Sequence, residues 1–273
     1  MQLISHIPAP PLDRFIEQIC YFSMSAPPHR YERVLPSGRI QLILNLEEDS
    51  IAVFEGLDPR TRRTMPGMLV AGPSSQCALI GTDCLRSILT VVFHPGGSFP
   101  FLRPPALEFR DRDTALEDVW SHESPRLRQR LLEAPSIGCK FRIVEALLLE
   151  QLRRASPAHP AVEYAVAQLD RGGPGVSVAA VAGRIGLSGR RFQQIFDEQV
   201  GLSPKLFYRV RRFQRLLRRV HKRADINWAG VALDCGYYDQ AHFNHDFREF
   251  SGLNPTAYSA SHRLHHNHVP ADE

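Results

Sequence analysis

Three long polar side chains recur at a spacing that favours reading of DNA bases. Arg190, Gln193 and Gln194 stand at i, i+3 and i+4, so they share one face of a predicted helix. In the major groove an arginine can form a bidentate pair with guanine, and a glutamine can form one with adenine. A plain solvated helix face has the same pattern. For this segment alone, the two interpretations have equal weight.

The helix that carries these residues belongs to a unit that the chain repeats. Segment 176–207 returns about fifty positions later as segment 226–258, with one extra residue in the turn of the second copy. The residues that return are Ala179, Val181, Ala182, Gly186, Phe192, Phe196, Gly201, Leu202 and Pro204, as Ala229, Val231, Ala232, Gly236, Phe243, Phe247, Gly252, Leu253 and Pro255. The repeat predicts two helix–turn–helix units, a motif whose second helix enters the major groove.

Each copy has its own turn and capping residues. Gly186 and Gly236 supply the turn, because glycine tolerates positive φ at the end of a helix. Ser188 and Asp239 are placed to cap the helix that follows. The buried side of that helix is predicted to hold Phe192, Ile195, Phe196 and Val200 in the first copy, and Phe243, Phe247 and Phe250 in the second.

The second copy offers fewer strong base readers. Ala241, Asn244 and His245 stand where the first copy has Arg190, Gln193 and Gln194. An alanine can contact the methyl group of thymine. His242 and Arg248 are predicted mainly to hold phosphate, so this copy is expected to be specialised for contact with the DNA backbone.

A basic helix is predicted between the two copies, over residues 204–221. Between Lys205 and Arg223 there are nine Lys/Arg and no acidic residue. The net charge is +4, and residues 1–155 balance 18 basic against 18 acidic side chains, so the whole excess lies in the second half. A solvated face is the alternative, but between two helix–turn–helix units a phosphate-facing surface is favoured. Two readers in successive major grooves would sit about 34 Å apart.

Residues 161–260 resemble the AraC/XylS family of bacterial transcription regulators. The resemblance rests on LSGRRFQQIFDEQVGLSPKLFYRVRRFQRLLRRV (187–220) and VALDCGYYDQAHFNHDFREFSGLNPTAY (231–258). It implies base contacts from the second helix of each copy, at Arg190, Gln193, Gln194, Gln240, His242, Asn244 and His245. The helix ends and the joining helix are expected to contact phosphate, through Ser188, Arg191, Lys205, Arg209, Arg211, Arg212 and Arg248. Ala241 departs from the family, where a larger polar residue often stands.

The first half of the chain is predicted to form strands, followed by helices at its end. Alternation over residues 40–46 and short apolar runs separated by turns predict an antiparallel barrel or sandwich. A short helix is predicted at 12–22, and a longer one at 141–154. Leu-Pro-Ser-Gly (35–38) and the segment 93–97 resemble the companion domain of one branch of the family, which implies a ligand-sensing or dimerising module.

The fold class is therefore expected to be α+β. A β-barrel-like (cupin-like) domain with flanking helices should precede an all-α domain of two helix–turn–helix units joined by a long helix. The expected boundaries are 1–155 for the regulatory domain, 156–260 for the DNA-binding domain and 261–273 for a mobile polar tail. That tail includes His262, His265, His266 and His268, and adventitious metal binding is the alternative for these histidines.

Several function classes are disfavoured. No run of 18 apolar residues exists, and the five scattered cysteines form no CxxC pair, so a reduced cytoplasmic protein is expected. The predicted barrel segment between Arg33 and Phe101 holds one histidine, His94, and no hydrolase or metalloprotease motif occurs, so no metal, cofactor or enzyme activity is expected.

Double-stranded DNA is the expected partner, with RNA polymerase, a small-molecule effector on residues 1–155 and a second copy of the chain as further candidates. Two rival functions stay open. One is a ligand-binding or enzymatic barrel with an accessory basic domain, and the other is a nonspecific nucleoid-type protein.

Overall fold

A computed structural model of the chain describes residues 2–25, 29–82, 86–173, 176–223, 225–261 and 265–271. Cys84 and His262 lie outside these ranges. The described residues form two antiparallel sheets and ten α-helices. No described helix combines the length and the apolar character that crossing a membrane requires.

The strands belong mostly to the first half of the chain. They are β1 (Gln2–His6), β2 (Ile16–Ser23), β3 (Tyr31–Val34), β4 (Gln41–Asn45), β5 (Ser50–Val53), β6 (Arg63–Pro66), β7 (Met68–Ala71), β8 (Ala78–Gly81), β9 (Ser87–Phe93), β10 (Asp113–Ala115) and β11 (His268–Ala271). One sheet has the order β1-β2-β9-β4-β7-β10, and the other has the order β11-β3-β8-β5-β6.

The helices follow the strands. They are α1 (Leu116–Val119), α2 (Glu123–Glu133), α3 (Ile137–Arg153), α4 (Pro160–Arg171), α5 (Val178–Ile185), α6 (Gly189–Val200), α7 (Pro204–Val220), α8 (Trp228–Asp234), α9 (Gln240–Ser251) and α10 (Pro255–Ala260). Short 3₁₀ turns occur at Leu12–Arg14, Pro59–Thr61 and Ala106–Phe109. The predicted α+β class is confirmed. The two sheets do not close on each other, so the term barrel is only loosely met.

The helix predicted at residues 12–22 is wrong beyond its first turn. Most of this segment is strand β2, which pairs with β9. The register shifts between Ile16 and Gln18, as in a β-bulge. The irregularity lets Ile16 and Ile19 both lie fully buried, although they are three residues apart. This spacing imitates the period of a helix in the sequence.

The mobile tail predicted for residues 261–273 is also wrong for its described end. Strand β11 pairs antiparallel with β3, with His268 opposite Val34 and Ala271 opposite Tyr31. Val269 is 1% exposed and joins the apolar core of the second helix–turn–helix unit. Alternation of buried Val269 and Ala271 with half-buried neighbours gives this short segment the pattern of an edge strand.

The two halves of the chain share packed contacts. The loop 35–38 lies against α7, where Gln214 donates from Nε2 to the main-chain oxygen of Pro36 at 2.7 Å. Leu35 is 1% exposed and belongs to the same core as α7, α8 and α9. The sheets therefore support the helical half directly, and they are not connected to it only through a linker.

Candidate nucleic-acid interface

The two repeated units fold as the sequence predicts. In the first, Gly186 adopts the left-handed conformation with φ +72°, and the Ser188 hydroxyl accepts from the main-chain N–H of Arg191 at 3.2 Å. In the second, Gly236 has φ +87°, and the Asp239 carboxylate accepts from the N–H of His242 at 2.7 Å. Each second helix thus begins at a fixed, capped residue.

Helix α6 separates its two faces cleanly. Phe192, Ile195 and Phe196 are at most 2% exposed and join the core formed with α4 and α5. All three residues that are predicted to read bases in this copy are exposed: Arg190, Gln193 and Gln194. Arg191 is exposed too, and it donates from Nη1 to Gln194 Oε1 at 3.1 Å. This face can present several long hydrogen-bonding side chains to a groove.

Helix α9 presents a shorter and partly occupied polar face. Gln240, Asn244 and Arg248 are exposed, and His245 keeps 73% of its side chain exposed beside Glu249. His242 is half-buried, and its Nε2 accepts a hydrogen bond from Arg212 Nη2 at 2.8 Å. An arginine only donates, so this contact requires the neutral ring nitrogen. One nitrogen of His242 is therefore unavailable to a base.

Two of the predicted phosphate contacts, Arg211 and Arg212, are buried and that assignment is corrected. Arg211 is 1% exposed, and it donates to Asp170 Oδ1 at 2.5 Å and to the main-chain oxygen of Ser37 at 2.8 Å. Arg212 is 6% exposed. Helix α7 lies between both units and the loop 35–38, so these long side chains pair internally and cannot reach a duplex.

Asp246 is the charged residue that sequence reasoning missed. It is 1% exposed, and it accepts from Arg209 and from Arg212, each at 2.7 Å. Burial alone would lower the pKa of Arg209, but the hydrogen bonds and charges of Glu249 and Asp246 outweigh it and raise that pKa. Arg209 thus serves chiefly to fix α9 on α7. The sequence does contain a signal for this role. Asp246 lies between the core residues Phe243 and Phe247, and an acidic residue on the buried side of a helix needs a basic partner such as the arginines of α7.

His245, Asp246 and Glu249 bring possible metal-ligand atoms within 4.8 Å of one another. Both carboxylates already pair with arginine side chains, through Arg209 for both and Arg212 for Asp246. The ion pairs between α7 and α9 therefore account for the close approach of these three side chains.

The remaining candidates for phosphate contact lie on or beside α6 and α9, except for Lys205, which lies in the first turn of α7. Ser188, Arg191, Lys205 and Arg248 are all exposed. Of the predicted phosphate contacts, these exposed side chains are the ones that could reach a duplex, whereas Arg211 and Arg212 of α7 are buried.

Comparison with family models supports this geometry. Residues 181–261, which span most of both units, match the model of a helix–turn–helix domain. The second half of the chain therefore carries a helix–turn–helix domain of the AraC type, and the chain is a DNA-binding transcription regulator. The sheet-rich part of this regulator, residues 4–115, matches a model described as a domain of unknown function, DUF6597.

Solved structures with a similar chain trace include ToxT from Vibrio cholerae, at 8% identity. A 1.65 Å form has a TM-score of 0.46 and covers 95% of this regulator and 98% of that chain. ToxT of strain O395 bound to (E)-4-(8-methylnaphthalen-1-yl)but-3-enoic acid has a TM-score of 0.47, with 88% and 96% covered. Wild-type ToxT of strain SCE256 bound to an unsaturated fatty acid has a TM-score of 0.45, with 88% and 93% covered. A search of curated proteins gives no match. At this sequence identity and these TM-scores, no ligand site or residue role is carried over from ToxT to this regulator.

Proposed function

We propose that this regulator reads one DNA sequence through two adjacent major-groove segments, with α6 as the principal reader. The observation that carries the proposal is the exposure of Arg190, Gln193 and Gln194 together on one face of a helix whose other face is fully packed. Helix α9 is the second reader, through Gln240, Asn244 and His245. Its smaller polar face gives it a larger share of backbone contact.

Phosphate contact falls to the exposed side chains beside these readers. We assign it to Ser188, Arg191, Lys205 and Arg248. The fixed joining helix α7 sets the spacing of the two units, so straight DNA would have to bend where its groove spacing differs.

Residues 1–155 are proposed to regulate this reading in response to a small-molecule effector. A groove of about 640 Å³ supports the idea, and Leu107, Phe109, Arg110 and Val119 are among the residues that line it. Arg110 also donates to the end of α6. RNA polymerase and a second copy of the chain are proposed partners, the site of action is the cytoplasm, and no enzymatic step is proposed.

The test is selection of bound duplexes from random DNA, followed by affinity measurements on the selected operator and on random duplex. Arg190→Ala and Gln194→Ala should each weaken operator binding by about 1–3 kcal/mol for a lost bidentate contact, with little change on random duplex. Arg153→Ala is the matched control, because Arg153 is an exposed arginine at the end of α3.

Three outcomes separate the candidate functions. Preference for the operator that is lost in the α6 variants supports a sequence-specific regulator. Equal affinity of the wild type for operator and random duplex would support a nucleoid-type protein instead. Operator binding that survives both α6 changes would remove α6 as the principal reader.

A further inference from the structure

The second reading unit contains an extra residue, and that residue is an exposed tyrosine. One residue, Leu187, separates Gly186 from the capping Ser188 in the first copy. Tyr237 and Tyr238 separate Gly236 from the capping Asp239 in the second. We propose that Tyr238 contacts the sugar–phosphate backbone of DNA and thereby orients α9, an inference that rests on the function proposed above.

Tyr237 and Tyr238 point to opposite environments. Tyr237 is 2% exposed, and its ring packs on Phe243 at 5.5 Å between centroids, with the Arg212 guanidinium 4.1 Å from its own centroid. Tyr238 is 87% exposed. Within the described ranges its hydroxyl has no recorded hydrogen-bond partner. Tyr237 thus fills the packing role of Leu187, and Tyr238 is the inserted residue.

Hydrogen bonds hold the chain on both sides of Tyr238. The N–H of Tyr237 donates to the main-chain oxygen of Ala232 at 3.0 Å, and the N–H of Gly236 donates to that of Leu233 at 2.9 Å. On the other side, Asp239 caps α9 through His242. A rigid aromatic side chain loses little conformational entropy on binding, which makes an exposed and anchored tyrosine a favourable contact residue.

The place of Tyr238 in the motif selects the backbone as its partner. In a docked helix–turn–helix unit the second helix enters the groove with its first residues, so the turn just before it lies beside the sugar–phosphate chain. Tyrosine is among the side chains that donate to phosphate oxygens in such complexes. Its ring would pack on deoxyribose while its hydroxyl donates to phosphate.

The two capping residues explain why the second copy needs this donor. Ser188 is neutral, and its hydroxyl can accept a hydrogen bond from the N–H of Arg191 and at the same time donate one to a phosphate. Asp239 carries a negative charge at the equivalent place and would repel phosphate. Tyr238 restores a neutral hydroxyl donor one residue earlier. A neighbouring exposed Leu233, at 61%, makes a protein partner the alternative occupant of this surface.

The experiment measures the affinity of the full-length chain for operator and for random duplex over a range of salt concentrations. Tyr238→Phe removes only the hydroxyl, and Tyr238→Ala removes the ring as well. Tyr164→Phe and Tyr164→Ala are matched controls, because Tyr164 is a 37% exposed tyrosine of α4. Tyr238→Phe should weaken both duplexes by about threefold to tenfold, the value of one hydrogen bond, and Tyr238→Ala by more.

The salt dependence distinguishes a tyrosine contact from a cationic one. A neutral donor displaces no counterion, so the slope of log affinity against log salt should be the same in Tyr238→Phe and the wild type. Wild-type affinity of Tyr238→Ala for both duplexes would overturn the proposal. If promoter activity, measured in the same variant, falls while affinity is unchanged, the proposal is likewise overturned and a protein partner is indicated. Loss on the operator alone would overturn the backbone assignment in favour of a base contact. Because random duplex is also measured, failure of operator preference in the wild type would contradict the proposed function without affecting this test.

Discussion

Arg110 donates from Nε to the main-chain oxygen of Gly201 at 2.6 Å, which joins the sheet-rich half of the regulator to the C-terminal end of α6. The Arg110 guanidinium also lies 3.6 Å from Asp197 on α6. A cation at this position complements the carbonyl end of a helix. The orientation of α6 is therefore fixed by a residue outside the DNA-binding domain.

Removal of this link should cost stability. Arg110→Ala is expected to lower the free energy of unfolding by about 1–3 kcal/mol, because a half-buried charged hydrogen bond and an ion pair are both lost. Urea denaturation checks this value. Arg103→Ala is the control, since Arg103 is exposed and nearby in sequence. Equal stabilities of the two variants would mean that the contact of Arg110 with Gly201 contributes nothing.

Two glycines allow steric contact to be separated from backbone conformation. Gly186 and Gly201 both have positive φ, at +72° and +83°. A Cβ on Gly186 would meet nothing within 4 Å, whereas one on Gly201 would lie 2.6 Å from the main-chain oxygen of Ala106. Gly186→Ala should lower the free energy of unfolding by about 1–2 kcal/mol, because of the left-handed conformation alone. Gly201→Ala should cost clearly more in the same denaturation experiment, and equal costs would contradict the close approach of α6 to Ala106.

The sequence predicted the helical half well because its signals are local. Glycine turns, capping side chains and apolar spacing each act within a few residues, and the prediction of α7 at 204–221 agrees with Pro204–Val220. Strand β4 (Gln41–Asn45) likewise lies within the alternation predicted at 40–46. Periodicity failed in β2, where a bulge gave buried residues a helical spacing.

Burial of charge could not be predicted locally. Arg211 pairs with Asp170 and Ser37, which lie 41 and 174 positions away in the chain. A run of arginines indicates a cationic helix, but only the tertiary fold decides which of them meet solvent. For the same reason, local sequence does not single out Asp246 as the residue that binds α9 to α7.

Salt dependence should separate the buried arginines from the exposed cations. Arg248→Met and Lys205→Met should each reduce the slope of log affinity against log salt by about 1, if each contacts one phosphate. Arg211→Met should leave the slope unchanged and lower the free energy of unfolding by about 3 kcal/mol, because it leaves Asp170 without its buried partner. A reduced slope in a stably folded Arg211→Met would restore Arg211 as a phosphate contact.

The histidine-rich segment before β11 should make stability depend on pH. Burial, followed by the charges of His265, Arg218, His221 and Arg39, lowers the pKa of His266 to about 3. The folded chain therefore resists protonation at His266, while the unfolded chain takes up a proton near the ordinary value of 6.5. Stability from this residue is fully present above pH 6.5 and is lost progressively as the pH falls toward 3.

Comparison with His266→Asn isolates this contribution. Between pH 7.5 and pH 5 the wild type should lose about 1 kcal/mol more than the variant, a value reduced from the full linkage because the side chain is only half-buried. Urea denaturation at a series of pH values measures the difference. The main-chain oxygen of His266, which accepts from Tyr258 at 2.8 Å, is retained in the variant. Parallel pH profiles would show that His266 protonates as easily in the folded chain as in the unfolded one, contrary to its burial beside four other basic side chains.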